Sequence, residues 1–192
     1  MKYVLVALES EVPNIDLPDD YTLMITGVGK VNAAMFATLA CCSRDCDIII
    51  NYGTAGTLKP DLVGQLHTIG KVRQRDMDAR PQAPLGTTPF EETSLLQSDI
   101  TLTTKSKIVL STGDNFVTEQ PEIESDLVDM EGYAIAKVAG SFNKPIVMVK
   151  WASDFADDKA PEEWQKNQAD GVGTFMEFLK GFDEKFAKAK NG

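Results

Sequence analysis

Short apolar runs of strand length recur along this chain, and their pattern limits the folds that it can adopt more than any other feature. The runs are nearly continuous in apolar and β-branched residues, which is typical of strands buried on both faces of a sheet. Helical stretches lie between them, most clearly over 30–42 and 131–142. This alternation predicts one α/β domain over 1–192, a three-layer sandwich around a mostly parallel, twisted sheet. The predicted strands cover residues 3–8, 21–26, 47–52, 66–72, 107–111 and 145–151.

The charge balance excludes two classes of partner. The chain has 19 basic and 29 acidic residues, which gives a net charge of −10. A protein that binds a phosphate backbone needs a basic stripe, and the four arginines of this chain form none. Anionic membranes are equally poor partners for so acidic a protein. We therefore expect neither nucleic acid nor a membrane surface as a partner.

The first residues and the cysteines bear on the compartment. The N-terminal run meets acidic residues after about seven apolar positions, which is short for a signal peptide, and no run of about 18 apolar residues occurs. The chain has three cysteines, Cys41, Cys42 and Cys46. Their number is odd and no histidine lies near them in sequence, so they make a poor zinc site. We expect a cytoplasmic protein with reduced, mostly buried thiols and no metal site.

Two segments outside the strand pattern have distinct characters. Residues 162–190 place apolar side chains three or four apart, which predicts a packing helix with a break near Gly171. The segment 76–92 has three prolines and no periodicity, which is typical of a binding loop or a lid. The apolar stripe of the helix consists of Val172, Phe175, Leu179, Phe182 and Phe186.

Polar and small residues follow several predicted strands, at the edge where open α/β sheets bind ligands. A small-residue turn is predicted over 51–56. Glu131 also fits a first-turn acid favoured by the helix dipole, and Asp154 also fits a turn residue. His67 lies inside a predicted strand, and we expect no catalytic role for it. The acidic candidates for one shared rim are Glu11, Glu131, Asp154 and Asp157.

Six segments carry a resemblance to a known family, in the family's order. They are ALESEV (7–12), TGVGKVNAA (26–34), INYGTAGTL (50–58), STGDNFV (111–117), VDMEGYAIA (128–136) and WASDFAD (151–157). The chain resembles the nucleoside phosphorylase and nucleosidase superfamily, and within it most closely the 5'-methylthioadenosine/S-adenosylhomocysteine nucleosidases. The resemblance implies a nucleoside phosphorylase-like sandwich that hydrolyses a purine nucleoside to adenine and a free ribose derivative, without a cofactor.

The resemblance also implies a role for each matching residue. Asp154 would protonate or hydrogen-bond the purine N7, and Glu11 would deprotonate the attacking water. Glu131 would accept hydrogen bonds from the ribose hydroxyls and stabilise the ribosyl cation. Phe116 would stack on the base, and the backbone of Val117 would read its edge. The other implied substrate-binding residues are Met130, Thr54 and Ser153.

The chain departs from the family at three places. The segment 12–25 is shorter than in the family and lacks a strand pair. Lys150 stands where nucleosidases often carry an arginine, and a lysine does not have the planar donor fork of an arginine. The segment 76–92 differs in sequence, so the pocket for the 5'-substituent is not carried over. Because this segment holds the family position at which a loop reaches a neighbouring subunit, we expect a homodimer.

Several alternatives stay open. A phosphorylase would use phosphate instead of water, but superfamily phosphorylases resemble one another in an arginine at the position of Asn51. Another nucleoside hydrolase, such as a futalosine hydrolase, fits the same motifs. A nucleoside-binding protein without catalysis would need neither Glu11 nor Asp154, and a scaffold would leave the acidic rim unexplained. Hydrolysis of a 5'-modified adenosine is the leading hypothesis.

Overall fold

The structure is a computed structural model, and it describes residues 1–91 and 99–190. The strands of these ranges are β1 (Lys2–Val6), β2 (Tyr21–Ile25), β3 (Ile48–Thr57), β4 (Leu66–Thr68), β5 (Lys71–Gln74), β6 (Asp99–Thr101), β7 (Val109–Thr112), β8 (Leu127–Asp129) and β9 (Ile146–Phe155). The α-helices are α1 (Lys30–Cys42), α2 (Gly132–Ser141), α3 (Ala160–Asn167) and α4 (Val172–Lys190). The side chain of Phe186 and the last residue of the predicted loop 76–92 lie outside the described part.

Strand β3 is the centre of the sheet. Its first half pairs in parallel with β1, and its other edge pairs in parallel with β9 from Ile49 to Thr57. Parallel pairs also join β1 to β2, β5 to β7 and β7 to β8, whereas β3–β8, β4–β9 and β5–β6 are antiparallel. Five of these eight pairings within the described residues are parallel, so the prediction of a mostly parallel sheet is confirmed.

Helices cover both faces of the sheet. Leu5 and Ile49 point to the face that packs on the small residues of α1, Ala33 and Ala37 among them. The residues that alternate with them along the strands point the other way, where Phe175 of α4 is fully buried. The three layers are therefore confirmed, and burial of a side chain such as Phe175 contributes about 1.5–3 kcal/mol. The single domain over 1–192 stays a prediction.

The break predicted near Gly171 separates α3 from α4 and is confirmed. A Cβ at this glycine would lie 2.5 Å from Cγ of Trp151 and 2.6 Å from the hydroxyl of Tyr52, so only glycine lets the chain pass this close to the sheet. Gly173 and Gly181 leave α4 intact because its apolar stripe packs on the sheet. Within the described ranges, no helix is long and apolar enough to cross a membrane.

Two strands are longer than predicted, which moves site residues into the sheet. The prediction of a turn over 51–56 is wrong, because the whole of this segment lies within β3. Ser153 and Asp154 lie within β9 and not in a turn after it. Backbone hydrogen bonds between β3 and β9 continue beyond the predicted ends of the two strands, and the pairing contains one register shift between Ala55 and Gly56.

The fourth predicted strand is in fact two strands, β4 and β5. The backbone N–H of Ile69 donates to the carbonyl of Met148 in β9, whereas that of Gly70 donates to the carbonyl of Ile108 before β7. The chain thus changes neighbours here, and a Cβ at Gly70 would lie 2.1 Å from the carbonyl oxygen of Ser106. Residues 69–70 therefore connect two parts of the sheet. In one part β9 pairs with β3 and β4, and in the other β8 pairs with β3 and β7, and β7 pairs with β5. Residues 12–20 form no strand, in agreement with the expected shortening.

Candidate active site

A cavity of about 190 Å³ opens where β1, β3, β7, β8 and β9 end. Ser153 lies behind the lining, and Asp157 is not part of it. The predicted residues that line the cavity are Glu11, Thr54, Phe116, Val117, Met130, Glu131 and Asp154. The lining residues for which sequence reasoning gave no role include Arg75, Asn115, Asp129 and Trp164. The structure thus brings seven of the eight assigned residues to one cavity, and their roles stay predictions.

Glu11 is a buried carboxylate held by three donors. It ends a 3-10 turn directly after β1 and is 3% exposed. Its Oε2 accepts from the backbone N–H of Leu8 at 3.0 Å. Its Oε1 accepts from both the N–H and the hydroxyl of Thr54, each at 2.7 Å. A Cβ at Gly53 would lie 3.3 Å from Oε1, so the glycine in β3 makes room for the carboxylate and not for a turn.

Asp154 lies in an environment that favours a protonated carboxyl. It is 2% exposed, and Gly56 of β3 leaves room for it, because a Cβ there would lie 3.0 Å from Oδ2. Burial raises the pKa of Asp154, and the negative charges of Glu163 and Asp157 add to the rise. The Ser153 hydroxyl donates to Oδ1 at 2.6 Å and opposes it. A carboxyl with these surroundings keeps a proton to higher pH, as a general acid requires.

Glu131 is the residue directly before the first turn of α2, so it is not the first-turn acid considered from the sequence. Its Oε1 accepts from the backbone N–H of Gly29 at 2.9 Å. Burial and the neighbouring charge of Asp129 raise the pKa of Glu131 to about 7, against the opposing effect of Lys150. Glu131 therefore gains its negative charge near neutral pH.

A buried ion pair underlies the acidic residues, and sequence reasoning missed it. Lys150 of β9 is 1% exposed, and its Nζ lies 2.9 Å from Oδ2 of Asp129 at the end of β8. Asp129 also accepts from the hydroxyl of Thr112 at 2.5 Å and from the N–H of Gly132 at 2.8 Å. Lys150 thus pairs with Asp129, and no ion pair joins it to Glu11 in the part of the chain that the structure describes. The sequence signal that could have indicated this pair was Asp129, an acidic residue two positions before Glu131.

Arg75 is a second buried cation. It follows β5 directly and lines the cavity. Its Nη1 donates to the carbonyls of Ser111 and Asp129, both at 2.7 Å. Its Nη2 donates to the carbonyls of Gly113 and Asn115, at 3.1 and 2.7 Å. The four terminal N–H groups are therefore used by backbone carbonyls. An arginine directly after β5, in an otherwise arginine-poor chain, was the available signal.

The loop after β7 forms the side of the cavity that the resemblance assigns to the base. Val117 is buried against Val128, and Phe116 stays 48% exposed, so its ring face is open for stacking. Asp114 ties this loop to α1, because its Oδ1 accepts from the N–H of Lys30 at 2.8 Å. The base side is thus built on a loop with fixed ends.

Residues that we expected to be inactive lie elsewhere. His67 is on β4, where its Nε2 lies 2.9 Å from the carbonyl oxygen of Leu62, and it does not line the cavity. The three cysteines are free thiols; Cys41 and Cys46 are buried and Cys42 is exposed.

The sequence of this chain is similar to those of known proteins. The family model of the Phosphorylase superfamily matches residues 19–188. A 5'-methylthioadenosine/S-adenosylhomocysteine nucleosidase of Staphylococcus aureus (strain bovine RF122 / ET3-1) is 35% identical over 165 residues, which cover 73% of this chain and 72% of the relative.

Two solved structures share the fold. The futalosine hydrolase of Helicobacter pylori strain 26695 superposes with a TM-score of 0.83 at 20% identity, over 96% of this chain and 97% of that one. The 5'-methylthioadenosine/S-adenosylhomocysteine nucleosidase of Helicobacter pylori, solved with a 4-aminopyrrolopyrimidine joined to a pyrrolidinol, gives 0.83 at 21% identity with the same coverage. The extent of the family match and the identity to the Staphylococcus relative show that this chain belongs to the Phosphorylase superfamily.

Proposed function

We propose that this protein is an N-glycosidase that hydrolyses 5'-methylthioadenosine- or S-adenosylhomocysteine-type nucleosides to adenine and a free ribose derivative. The observation that carries the proposal is one cavity lined by four buried carboxyl groups, of which Asp129 is paired with Lys150 and the other three lie in different environments. Asp154 is set up to hold a proton, Glu11 to accept one, and Glu131 to carry charge near neutrality. The name of the Staphylococcus relative supports the substrate class.

The proposed reaction uses each of the three carboxyl groups that are not paired with a cation once. Asp154 donates its proton to N7 of the purine, so the electron pair of the breaking C1'–N9 bond can pass to a better leaving group. The anion of Glu131 favours the ribosyl cation over the neutral substrate. Glu11 then takes a proton from the water whose oxygen bonds to C1', and the products are adenine and a free sugar. No step needs a metal or an organic cofactor.

Hydrolysis is favoured over phosphorolysis because the nearby cations are engaged. Asn51, at the position of the phosphorylase arginine, is 2% exposed and donates to the carbonyl of Leu5 at 3.0 Å. The terminal nitrogens of Arg75 are used by four carbonyls, and Lys150 pairs with Asp129. A phosphate dianion needs free charged donors, preferably a planar fork. Asn51 carries no charge, Lys150 has no planar fork, and the fork formed by the terminal nitrogens of Arg75 is already used.

The test is the fate of the sugar. The protein is incubated with 5'-methylthioadenosine, S-adenosylhomocysteine, futalosine and unmodified nucleosides, in phosphate-free buffer and with added phosphate. We expect adenine and a free reducing pentose without phosphate, with turnover best on the first two substrates. Accumulation of a sugar 1-phosphate, together with loss of turnover when phosphate is dialysed away, would contradict hydrolysis.

The futalosine hydrolase alternative rests on the fold. Its structure matches this chain as well as the nucleosidase structure does, at an identity that shows the fold alone. The 35% identity to the Staphylococcus nucleosidase favours the methylthioadenosine type. Preferential release of a base from futalosine in the same panel would establish the alternative, and binding of a nucleoside without turnover would establish a nucleoside-binding protein.

We further propose that the active form is a homodimer joined through the outer face of α1. Val31, Met35 and Leu39 follow one another at four-residue spacing and are 80%, 52% and 56% exposed. Phe90, in the loop that the resemblance places near a neighbouring subunit, is 91% exposed.

Light scattering tests the dimer. We expect twice the chain mass for the wild type and a shift to monomer for Met35→Glu, with Val63→Glu, a substitution on another surface, as the matched control. A monomeric wild type with full turnover would contradict the dimer. The cytoplasmic location stays a prediction.

A further inference from the structure

Helix α3 and the residue after it are linked to the turn that carries Glu11, although at least 149 positions separate the helix from the turn in sequence. The indole Nε1 of Trp164 donates to the hydroxyl oxygen of Thr54 at 2.9 Å. The same hydroxyl donates to Oε1 of Glu11 at 2.7 Å. The hydroxyl of Ser10, next to Glu11, donates to Oε1 of Gln168 just after α3 at 2.6 Å. Trp164 is therefore linked to Glu11 through Thr54 of β3, and Gln168 bonds directly to the turn.

The chemistry of the three groups fixes the direction of this relay. An indole N–H is a donor only, and an ionised carboxylate is an acceptor only. The hydroxyl of Thr54 must therefore accept from Trp164 and send its own hydrogen to Glu11. A hydroxyl that accepts one hydrogen bond is polarised and becomes a better donor in the next. Without the indole, the hydroxyl would be free to rotate towards other acceptors.

The relay also limits what remains open on the carboxylate. An ionised carboxyl has about four lone-pair sites on its two oxygens. Thr54 occupies both sites of Oε1, and Leu8 occupies one site of Oε2. One site on Oε2 is left, and this is where a proton of an attacking water can be taken. A rotation of the Thr54 hydroxyl would open a second site and loosen the orientation of the carboxylate.

The position of Trp164 is itself fixed by the surrounding structure. Ala160, at the start of α3, is fully buried. The side-chain amide of Asn167, three residues after Trp164 and on the same face of the helix, donates to the carbonyl of Ser153 at 2.9 Å. The indole ring lines the cavity, so it reaches the site from a helix anchored at both ends.

We propose that Trp164 is a positioning residue of the reaction, which orients Glu11 through the hydroxyl of Thr54. This inference rests on the proposed hydrolysis, because it assigns Glu11 to water activation. The indole acts on the step that uses water, and a contact of its ring with a substrate in the cavity would be a separate effect. The two effects fall on different kinetic constants, kcat and KM respectively.

A double-mutant cycle on the full-length protein tests the relay. Trp164→Phe keeps an aromatic ring and removes the N–H, and Thr54→Val keeps the shape and removes the hydroxyl. We expect kcat for 5'-methylthioadenosine to fall roughly 3- to 5-fold in Trp164→Phe and roughly 10-fold in Thr54→Val, the range of one hydrogen bond. In the Thr54→Val background, Trp164→Phe should cause no further loss of kcat, because the relay is already broken. Lys166→Ala, on the exposed face of α3, should match the wild type.

The outcomes separate the two levels of the argument. Full additivity of the kcat losses, or an effect of Trp164→Phe on KM alone, overturns the positioning role while hydrolysis stands. A wild type that releases no base from any nucleoside overturns both. Thr54→Ser retains the hydroxyl and covers the case in which Thr54→Val does not fold: there the Trp164→Phe loss of kcat should persist in full, and its disappearance overturns the relay. Thermal midpoints of all variants are compared with the wild type.

Discussion

Replacing Asp154 with asparagine is expected to slow the chemical step of nucleoside cleavage by about 10²- to 10⁴-fold, the usual contribution of general acid catalysis. Asparagine keeps the shape and a hydrogen-bond donor, so binding of the base should change little, whereas proton transfer is lost. The barrier rises by about 3–5 kcal/mol. Single-turnover rates with saturating 5'-methylthioadenosine measure the loss directly.

The same role of Asp154 predicts how the rate changes with pH. Asp154 acts in its protonated form, and its raised pKa keeps that form present to higher pH. The rate of the wild type should therefore fall as the pH rises through the pKa of Asp154, and this fall should be missing in Asp154→Asn. Asp157→Asn is the matched control, because Asp157 does not line the cavity: its rate at low pH should stay close to that of the wild type, and the fall should begin at lower pH because one charge that raises the pKa of Asp154 is gone. A normal single-turnover rate in Asp154→Asn, with a slow Asp157→Asn, would reassign the acid.

The parts of the site that could be predicted are those that local sequence places at strand ends. Glu11 and Glu131 each follow a buried strand by a few residues, and parallel strands bring such positions to one edge. The order of strands and helices follows from apolar runs and their spacing in the same way. Predictions of strand length were poorer, because pairing with a neighbour extended β3 and β9 beyond the point where apolar residues stop.

The parts that could not be predicted depend on contacts between distant segments. Arg75 finds its carbonyl acceptors on two other strands and a loop, and Trp164 reaches Thr54 across 110 residues. No local pattern announces such a partner. The pairing of Lys150 with Asp129 is of this kind as well, because it depends on where β8 and β9 lie in the sheet. Sequence reasoning recognised that a lysine had replaced an arginine, but it could not name the acid that accompanies it.

Lys150→Met is expected to lower the free energy of unfolding by about 3–5 kcal/mol, the cost of leaving one charge of a buried pair without its partner. The side chains of Lys150 and Asp129 are 2% and 1% exposed, so water cannot replace the missing ammonium group. Urea unfolding at neutral pH measures the loss. Lys180→Met is the control, since Lys180 forms a pair at 3.8 Å with Glu177 in which both side chains are more than 70% exposed, and its change should stay within about 0.5 kcal/mol.

The double variant Lys150→Met/Asp129→Asn decides whether the charge itself is responsible. A neutral asparagine can still accept from the N–H of Gly132, and Thr112 can turn its hydroxyl to suit the amide. The double variant should therefore recover most of the lost stability, even though it carries one more substitution. If Lys150→Met costs less than about 1 kcal/mol, or if the double variant is as unstable as the single one, the loss comes from packing and not from an unpaired aspartate. Recovery would instead show that Lys150 is required because its ammonium group neutralises the buried carboxylate of Asp129.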